Sequence, residues 1–557
     1  ENGKCIKTPM KRESISFERI NNLYKMLKFS LPAVKEGTVI EYHYKLYSDY
    51  FSHIDNWMMQ EELPMLYNQY KITIPHVFVY NIELRGKDYI QVKQRDSSIH
   101  ATERDGSGAG GVSKDFTVSA QETTFISRNL PAIRQDESYC WCPEDYKVQV
   151  SFDLQGTQFT PNEYKPYSQK WEDVDKQLLK PENTQFGEHL SLTNPFRPET
   201  KQAYNSEMNF EEKIICAFQV LKKKMAWNGR YQLYSKELEK VIKKGSGSNA
   251  DLNFILISIL KDFGLEAYPV AMSRRSSGIL PYNFPSLQKL NTFIVAVYDI
   301  TKQKYVFLDS SMAVPALNIL PLDLAVNKAR ILSLKEKEDK KWVNVMALSD
   351  NKSFMKIDAR IEGNQVKGHR STVLYGQEAI EYQTNEKHKQ DSLVSNPKNN
   401  VSQKEKLTFT NLKVKKQEND YALIEEEFDF VLQADRTNDH LYINPMLFPQ
   451  LKNNPFIQTE RVLPIEFPYP YKFTMLSTLT LPDGYEVEEL PQSQTIRSEG
   501  DGLQCKYMIQ KQGNTILLNY VFHLKGYIFL SEQYKQLQEL WTKVIEKNNA
   551  LIVLKKI

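Results

Sequence analysis

The chain has 557 residues, enough for three or four domains with full hydrophobic cores, and this excludes a small disulfide-stapled scaffold. Its 72 Lys and Arg stand against 69 Asp and Glu, a net charge of +3 with both signs interspersed, which excludes a chain built around nucleic acid or an anionic membrane surface. Aromatic residues make up 11%, Tyr (31) outnumbers Phe (27) and Gly numbers only 22, so the composition is that of a strand-rich globular protein rather than a disordered one.

In the first 165 residues the dominant pattern is period-two alternation. Ile40, Tyr42, Tyr44 and Leu46 alternate with Glu41, His43 and Lys45 after a Gly37 turn, which predicts a half-buried strand. Further strands are expected over 77–84 and 146–154, separated by turn-rich stretches such as the glycine run from Asp105 to Gly111. From about residue 166 the period changes. Phe210, Ile214, Ala217, Phe218, Leu221 and Met225 fall on one helical face, and Leu252, Ile255, Leu256, Ile259, Leu260 and Phe263 form a second stripe ended by Gly264. Strands are expected next over 268–273, 292–298 and 305–309, the last two joined as a hairpin.

Beyond residue 345 the chain returns to β character, with hairpin signals at Asp483-Gly484 and Gly513-Asn514. Residues 386–406 are polar and nearly free of aromatics, which predicts an exposed loop. An amphipathic helix with Tyr534, Leu537, Trp541, Val544 and Ile545 inward, then a short strand, closes the chain. The expected architecture is α+β and multidomain: a β domain over 1–165, an α+β core over 166–345, and a β-rich domain with a terminal helix over 346–557.

Few residues offer chemistry. Cys5, Cys140, Cys142, Cys216 and Cys505 are odd in number and scattered, with neither a disulfide framework nor zinc spacing. Cys140 and Cys142 would face one way in an extended chain but have no second ligand pair, and a bridge to Cys5 stays open. Cys216, on a helical stripe, reads as an inert packed thiol. Glu425, Glu426, Glu427 and Asp429 lie in a strand-like stretch whose alternation suits a solvated face rather than a glycosidase pair. The glycine run at 106–111 lacks the strand, helix and Lys context of a phosphate cradle. No metal site and no cofactor is expected, and no apolar run reaches the roughly 18 residues of a membrane span. The chain starts at Glu1 with no apolar signal core, which predicts a processed form or one lacking its natural start.

The most informative segment runs from Gly245 to Val270. Gly247, Asp251, Gly264, Leu265 and Ala267 fit the pattern Gly-x-Cys-x-Asp, then a helix, then Gly-[Ile/Leu]-x-Ala. This resembles the nucleophile segment of the transglutaminase-like superfamily of papain-type thiol enzymes. That resemblance implies a Cys at the helix start, a His opening a following strand and an Asp on the next. The corresponding positions here are Asn249, Thr292 and Asp309. A carboxamide is no nucleophile and a Thr hydroxyl is no base, so the triad is degenerate and no catalytic residue is assigned. Ser248 would need a base, and no His occurs between His189 and His369. Capping alone explains Ser248 or Asn249 as N-cap and Asp251 three residues past Ser248.

The stretches 31–44, 73–80 and 129–133 resemble the N-terminal β domain of a family of bacterial three-part transglutaminase-like proteins, and 441–449, 461–471, 481–491 and the ending VLKK resemble its C-terminal β domain. The resemblance implies a papain-like core flanked by antiparallel β-sandwich-like domains and a site of action outside the cytoplasm. The resulting expectation is a non-catalytic envelope protein that binds a peptide, a glycan or a protein partner. Two alternatives remain: an enzyme using an unrecognised site, with His189 or His369 delivered from flanking segments, and a purely architectural envelope protein.

Overall fold

The structure is a computed structural model and describes residues 7–19, 25–44, 54–105, 112–134, 138–160, 163–166, 170–281, 285, 287–392, 407–417 and 420–557. The chain forms two compact units, Glu1–Ile54 and Asp55–Ile557.

In the first unit Ile15–Arg19 pairs antiparallel with Lys25–Phe29. The strand expected from Ile40 is not formed: 40–44 carry no strand, and Ile40, Tyr42 and Tyr44 are exposed. Alternation becomes a strand only against a partner ladder, and none pairs with these residues. Leu46 lies outside the described residues.

The second unit begins with two antiparallel sheets. One orders Trp57–Met58, Gln149–Thr160 and Phe78–Arg85, with Glu163–Pro166 also on Gln149–Thr160; the other orders Met65–Pro75, Val112–Leu130 and Gln91–Asp105. Tyr70 joins them, its ring 6.3 Å from Phe125 and 5.8 Å from Phe152. The strand expected from Tyr146 starts at Gln149 instead, because Pro143–Tyr146 is a 3-10 turn opened by proline. The glycine run at 106–111 lies outside the described residues.

The central part sets helices against a five-stranded antiparallel sheet, ordered Lys304–Leu308, Thr292–Asp299, Glu266–Met272, Ala329–Ile331 and Trp342–Val343. The strand expected over 268–273 runs as Glu266–Met272, and the hairpin after it forms. Helix Phe210–Lys224 starts at a capping box of Asn209 and Glu212 and buries Ile214, Ala217, Phe218 and Leu221 of the predicted stripe, with Phe210 half-buried and Met225 buried just past its end. Helix Asn249–Asp262 is buried from Asn249 through Leu260 on every side, as its apolar composition requires, and Gly264 follows it at φ +74°.

One charged cluster is sealed into this part. Arg330 is fully buried; its Nε and one terminal nitrogen donate to Asp175 at 2.7 Å each, and it also donates to Glu338. Lys341 Nζ donates to Asp175 at 2.8 Å, and the guanidinium lies 5.1 Å from the Trp342 ring centre and 5.8 Å from that of Trp171. This cluster ties helix Trp171–Leu179 to the last two strands of the sheet.

The C-terminal part is an eight-stranded sheet ordered Leu407–Gln417, Asp420–Gln433, Gln365–Tyr375, Lys352–Glu362, Tyr471–Thr480, Thr515–Leu524, Leu503–Gln512 and Gln494–Arg497. The pairing of Lys352–Glu362 with Tyr471–Thr480 is parallel. Helix Tyr534–Asn548 covers one face, with Trp541 against Phe456, Phe467 and Phe522. The hairpin at Gly513-Asn514 forms. At Asp483-Gly484 a turn forms but no hairpin: Tyr471–Thr480 stays in the large sheet while Tyr485–Glu489 pairs with the terminal strand Ile552–Lys556. Turn chemistry fixes the reversal; the partner is chosen by the apolar contacts that Tyr485 and Val487 make with the core. Helix Gln377–Ser392 also runs into the expected loop, and 393–406 lie outside the described residues.

The fold is therefore α+β and multidomain, as expected, and none of the helices among the described residues is long and apolar enough to cross a membrane. Asp175→Ala should destabilise the chain by about 3–5 kcal/mol, because Arg330 would stay buried with only the half-exposed Glu338. Urea unfolding of the two proteins measures the difference.

Candidate functional site

Helix Asn249–Asp262 starts at a capping box. The Ser248 side chain accepts from Asp251 N, and Asp251 Oδ2 accepts from Ser248 N and from Ser248 Oγ at 2.8 Å each. Gly247 is required by close approach, since a Cβ there would sit 2.9 Å from Asp251 Oδ2 and 2.5 Å from Val241. The cap is Ser248, so Asn249 occupies the first helical position and its side chain is free for another role.

That role is a buried polar knot. Asn249, Asn253, Thr292, Asp309 and Ser310 are all at 0% exposure. Asn249 Nδ2 donates to Thr292 Oγ1 at 2.8 Å, to Phe293 O at 3.1 Å and to Asp309 Oδ2 at 3.4 Å. One turn along the helix, Asn253 Nδ2 donates to the same Asp309 oxygen at 2.8 Å and to Phe293 O, and its Oδ1 accepts from Ser310 N and Oγ. Asp309 Oδ1 accepts from the Ser311 N–H at 2.9 Å and from its hydroxyl. Burial pushes the Asp309 carboxyl above its usual range, opposed by the hydrogen bonds from Ser311, Asn253 and Asn249.

A short segment closes the knot. Arg230 O accepts from Asn249 N at 3.0 Å, and Gln232 N donates to Asn249 Oδ1 at 2.9 Å. The segment is fastened by Trp227 Nε1 donating to Arg230 O and by Tyr231 OH within 3.3 Å of Ser311 Oγ, with the Arg274 guanidinium 5.7 Å from the Tyr231 ring centre. Burial pushes the Tyr231 phenol up to about 12.

The structure brings Asn249, Thr292 and Asp309 together in one hydrogen-bonded cluster. Sequence reasoning missed Asn253, Ser310, Ser311 and Gln232. Asn253 could have been found, since it lies four residues after Asn249 on the same helix face, and the two serines directly follow Asp309. Neither Ser248 nor Asn249 is a free nucleophile. The Ser248 hydroxyl is held by Asp251, and an asparagine carboxamide carries no lone pair basic enough to attack.

The other candidates lie elsewhere. Cys216 Sγ donates to Ala203 O, and burial raises its thiol. Cys140, Cys142 and Cys505 are free, with thiols pushed by burial up to about 12, 11 and 11. Cys5 lies outside the described residues. His189 packs its ring on Phe254 with Nε2 3.0 Å from Ser235 O, and His369 Nδ1 is 2.8 Å from Asp429 on the large sheet. In the acidic stretch, Glu426 binds Arg370 and Tyr382, and Glu427 binds Lys413. Among the described residues no three His, Cys, Asp or Glu side chains are placed to hold a metal ion.

Residues 439–554 match the family described as Domain of Unknown Function with solved-structure structure (DUF3858). The match covers the end of the C-terminal part, including helix Tyr534–Asn548. Among curated proteins nothing matches the chain. Solved structures similar to it include the following two. One is described as a "putative protease" from Parabacteroides distasonis, 12% identical over 90% of this chain and 74% of that one, with a TM-score of 0.47. The other is described as a "putative cysteine protease" from Cytophaga hutchinsonii, 10% identical over 45% of this chain and 80% of that one, with a TM-score of 0.17. Neither likeness carries an argument about this chain's chemistry.

Cap and knot are separable by mutation. Ser248→Ala should cost about 1 kcal/mol. Asn249→Ala should cost about 2–4 kcal/mol, because it strips buried partners from Thr292, Asp309 and Gln232. Denaturant titrations compare the two, and equal losses would reduce the knot to a cap.

Proposed function

We propose that the chain is a catalytically silent, three-part transglutaminase-like protein, with β-rich parts over 1–165 and 346–557 around a papain-like core over 166–345. In this reading Asn249, Thr292 and Asp309 stand where that family carries Cys, His and Asp. The protein acts in the bacterial envelope, outside the cytoplasm, by binding a peptide, a glycan or an envelope protein. The location rests on the resemblance of the flanking segments alone.

One observation carries the reading. Asn249, at the position of the nucleophile, is fully buried, its carboxamide is saturated with hydrogen bonds, and Arg230 and Gln232 close over it. Acyl transfer needs an exposed nucleophile beside a base, and this position offers neither. The rival enzyme reading draws on His189 or His369, and both are engaged with other partners.

A small cavity lies away from the knot, too small to hold more than an anchoring group of a ligand. It measures about 80 Å³ and opens where Trp141, Tyr146, Arg275, Ile279, Met346 and Glu466 meet. Glu466 accepts from Trp141 N and Tyr146 OH at 2.8 Å each, and Arg275 donates to Phe467 O and Pro468 O while lying 4.2 Å from the Trp141 ring centre. Binding pockets favour such junctions between chain segments.

The test is a thermal-shift series on the full chain with short peptides, peptidoglycan fragments and oligosaccharides, assayed in parallel for turnover. A ligand at 100 times its Kd stabilises the folded state by about 2.7 kcal/mol. The reading predicts a shift with one class and no turnover with any. Turnover abolished by Asp309→Ala would overturn it in favour of an enzyme, and no shift across the series would favour a purely architectural role.

A further inference from the structure

A second concavity lies on the central part, at the far end of helix Asn249–Asp262 from the knot. It is a groove of about 420 Å³ whose walls include Leu179, Leu190, Ile257, Leu265 and Leu334. That volume falls within the roughly 300–1,000 Å³ of small-molecule sites, and a mainly apolar lining with a few polar groups is their usual make-up.

The polar groups give the groove a sign. Lys261, in the last turn of the helix, lines it, and its ammonium donates to Leu190 O at 2.6 Å. No carboxylate among the described residues pairs with Lys261. Lys335 also lines the groove and is exposed. The one acid of the lining, Glu266, accepts from Tyr268 OH at 2.9 Å and keeps its charge, so two lysines against one carboxylate leave the lining net positive. Lys261 is an exposed residue, and desolvation pushes its ammonium below the ordinary lysine range.

We propose that this groove binds an anionic amphiphile, a straight-chain alkyl carboxylate, with the chain along the leucine walls and the carboxylate on Lys261, Lys335 standing beside it. The occupant follows from charge complementarity: an apolar trough with two lysines and a single engaged acid fits an apolar body carrying one negative head. The site shares no residue with the knot, so it holds or fails independently of the catalytically silent reading.

The test is calorimetric titration of the full chain with octanoate, decanoate, decanol and decyltrimethylammonium, all below their micellar concentrations. Decanoate should bind more tightly than octanoate by about fourfold per added methylene, and more tightly than the cation by at least about tenfold. Lys261→Met should weaken decanoate about tenfold or more and leave decanol within about threefold. Leu334→Asp alters a side chain that is 69% exposed, so the fold is retained, and it should weaken decanoate and decanol together. Equal binding of anion and cation, decanoate binding untouched by both variants, or no binding at all would overturn the proposal.

Discussion

Everything at the centre of this molecule depends on how one carboxylate is kept out of water. Asp309 has no solvent access, and a charge so placed is tolerated only when donors surround it. Asn249, Asn253 and Ser311 supply them, fixing helix Asn249–Asp262 against the turn after Lys304–Leu308, while the two asparagines also bind Thr292 Oγ1 and Phe293 O on strand Thr292–Asp299. The Asn249 carboxamide and the Thr292 hydroxyl complete this buried corner, and Arg230 and Gln232 bind Asn249 through their backbone.

The surrounding structure repeats the same logic. Arg330 is sealed between Trp171 and Trp342 only because Asp175 and Glu338 meet its guanidinium and Lys341 completes the charge balance. Glu466, Arg275 and Trp141 fasten the β-rich segments to the central sheet through hydrogen bonds to backbone groups and a stacked ring. Each cluster joins elements far apart in sequence. Such contacts set the geometry of the whole Asp55–Ile557 unit while leaving open ground, at the Trp141 junction and in the Lys261 groove, for ligands.

Much of the fold was legible where a local signal and a tertiary demand agreed. The stripe ending at Gly264, the capping pair Ser248 and Asp251, and the hairpin at Gly513-Asn514 each carry their own instructions in a few residues. The signal failed where partners decide. Ile40 to Tyr44 alternate but find no ladder, and Asp483-Gly484 turns the chain into a strand that prefers the C-terminal Ile552–Lys556. Of the site, Asn249, Thr292 and Asp309 came from the resemblance of the 245–270 segment to a known family rather than from periodicity or spacing. The sequence left the cap open between Ser248 and Asn249, because it does not show which of two adjacent polar residues faces the sheet, and Gln232 was missed because it comes from a segment with no periodic pattern.

The account's central claim is that the corner around Asn249 is closed in the folded protein. Amide hydrogen exchange reads this directly at Gln232, whose N–H binds Asn249 Oδ1, and at Asn249, whose N–H binds Arg230 O. The account predicts that both exchange as slowly as Ile255 in the core of the helix, through unfolding of the central part alone. Exchange at Gln232 and Asn249 at the pace of an open loop, with Ile255 still protected, would mean that the segment lifts in the native state and would contradict the claim.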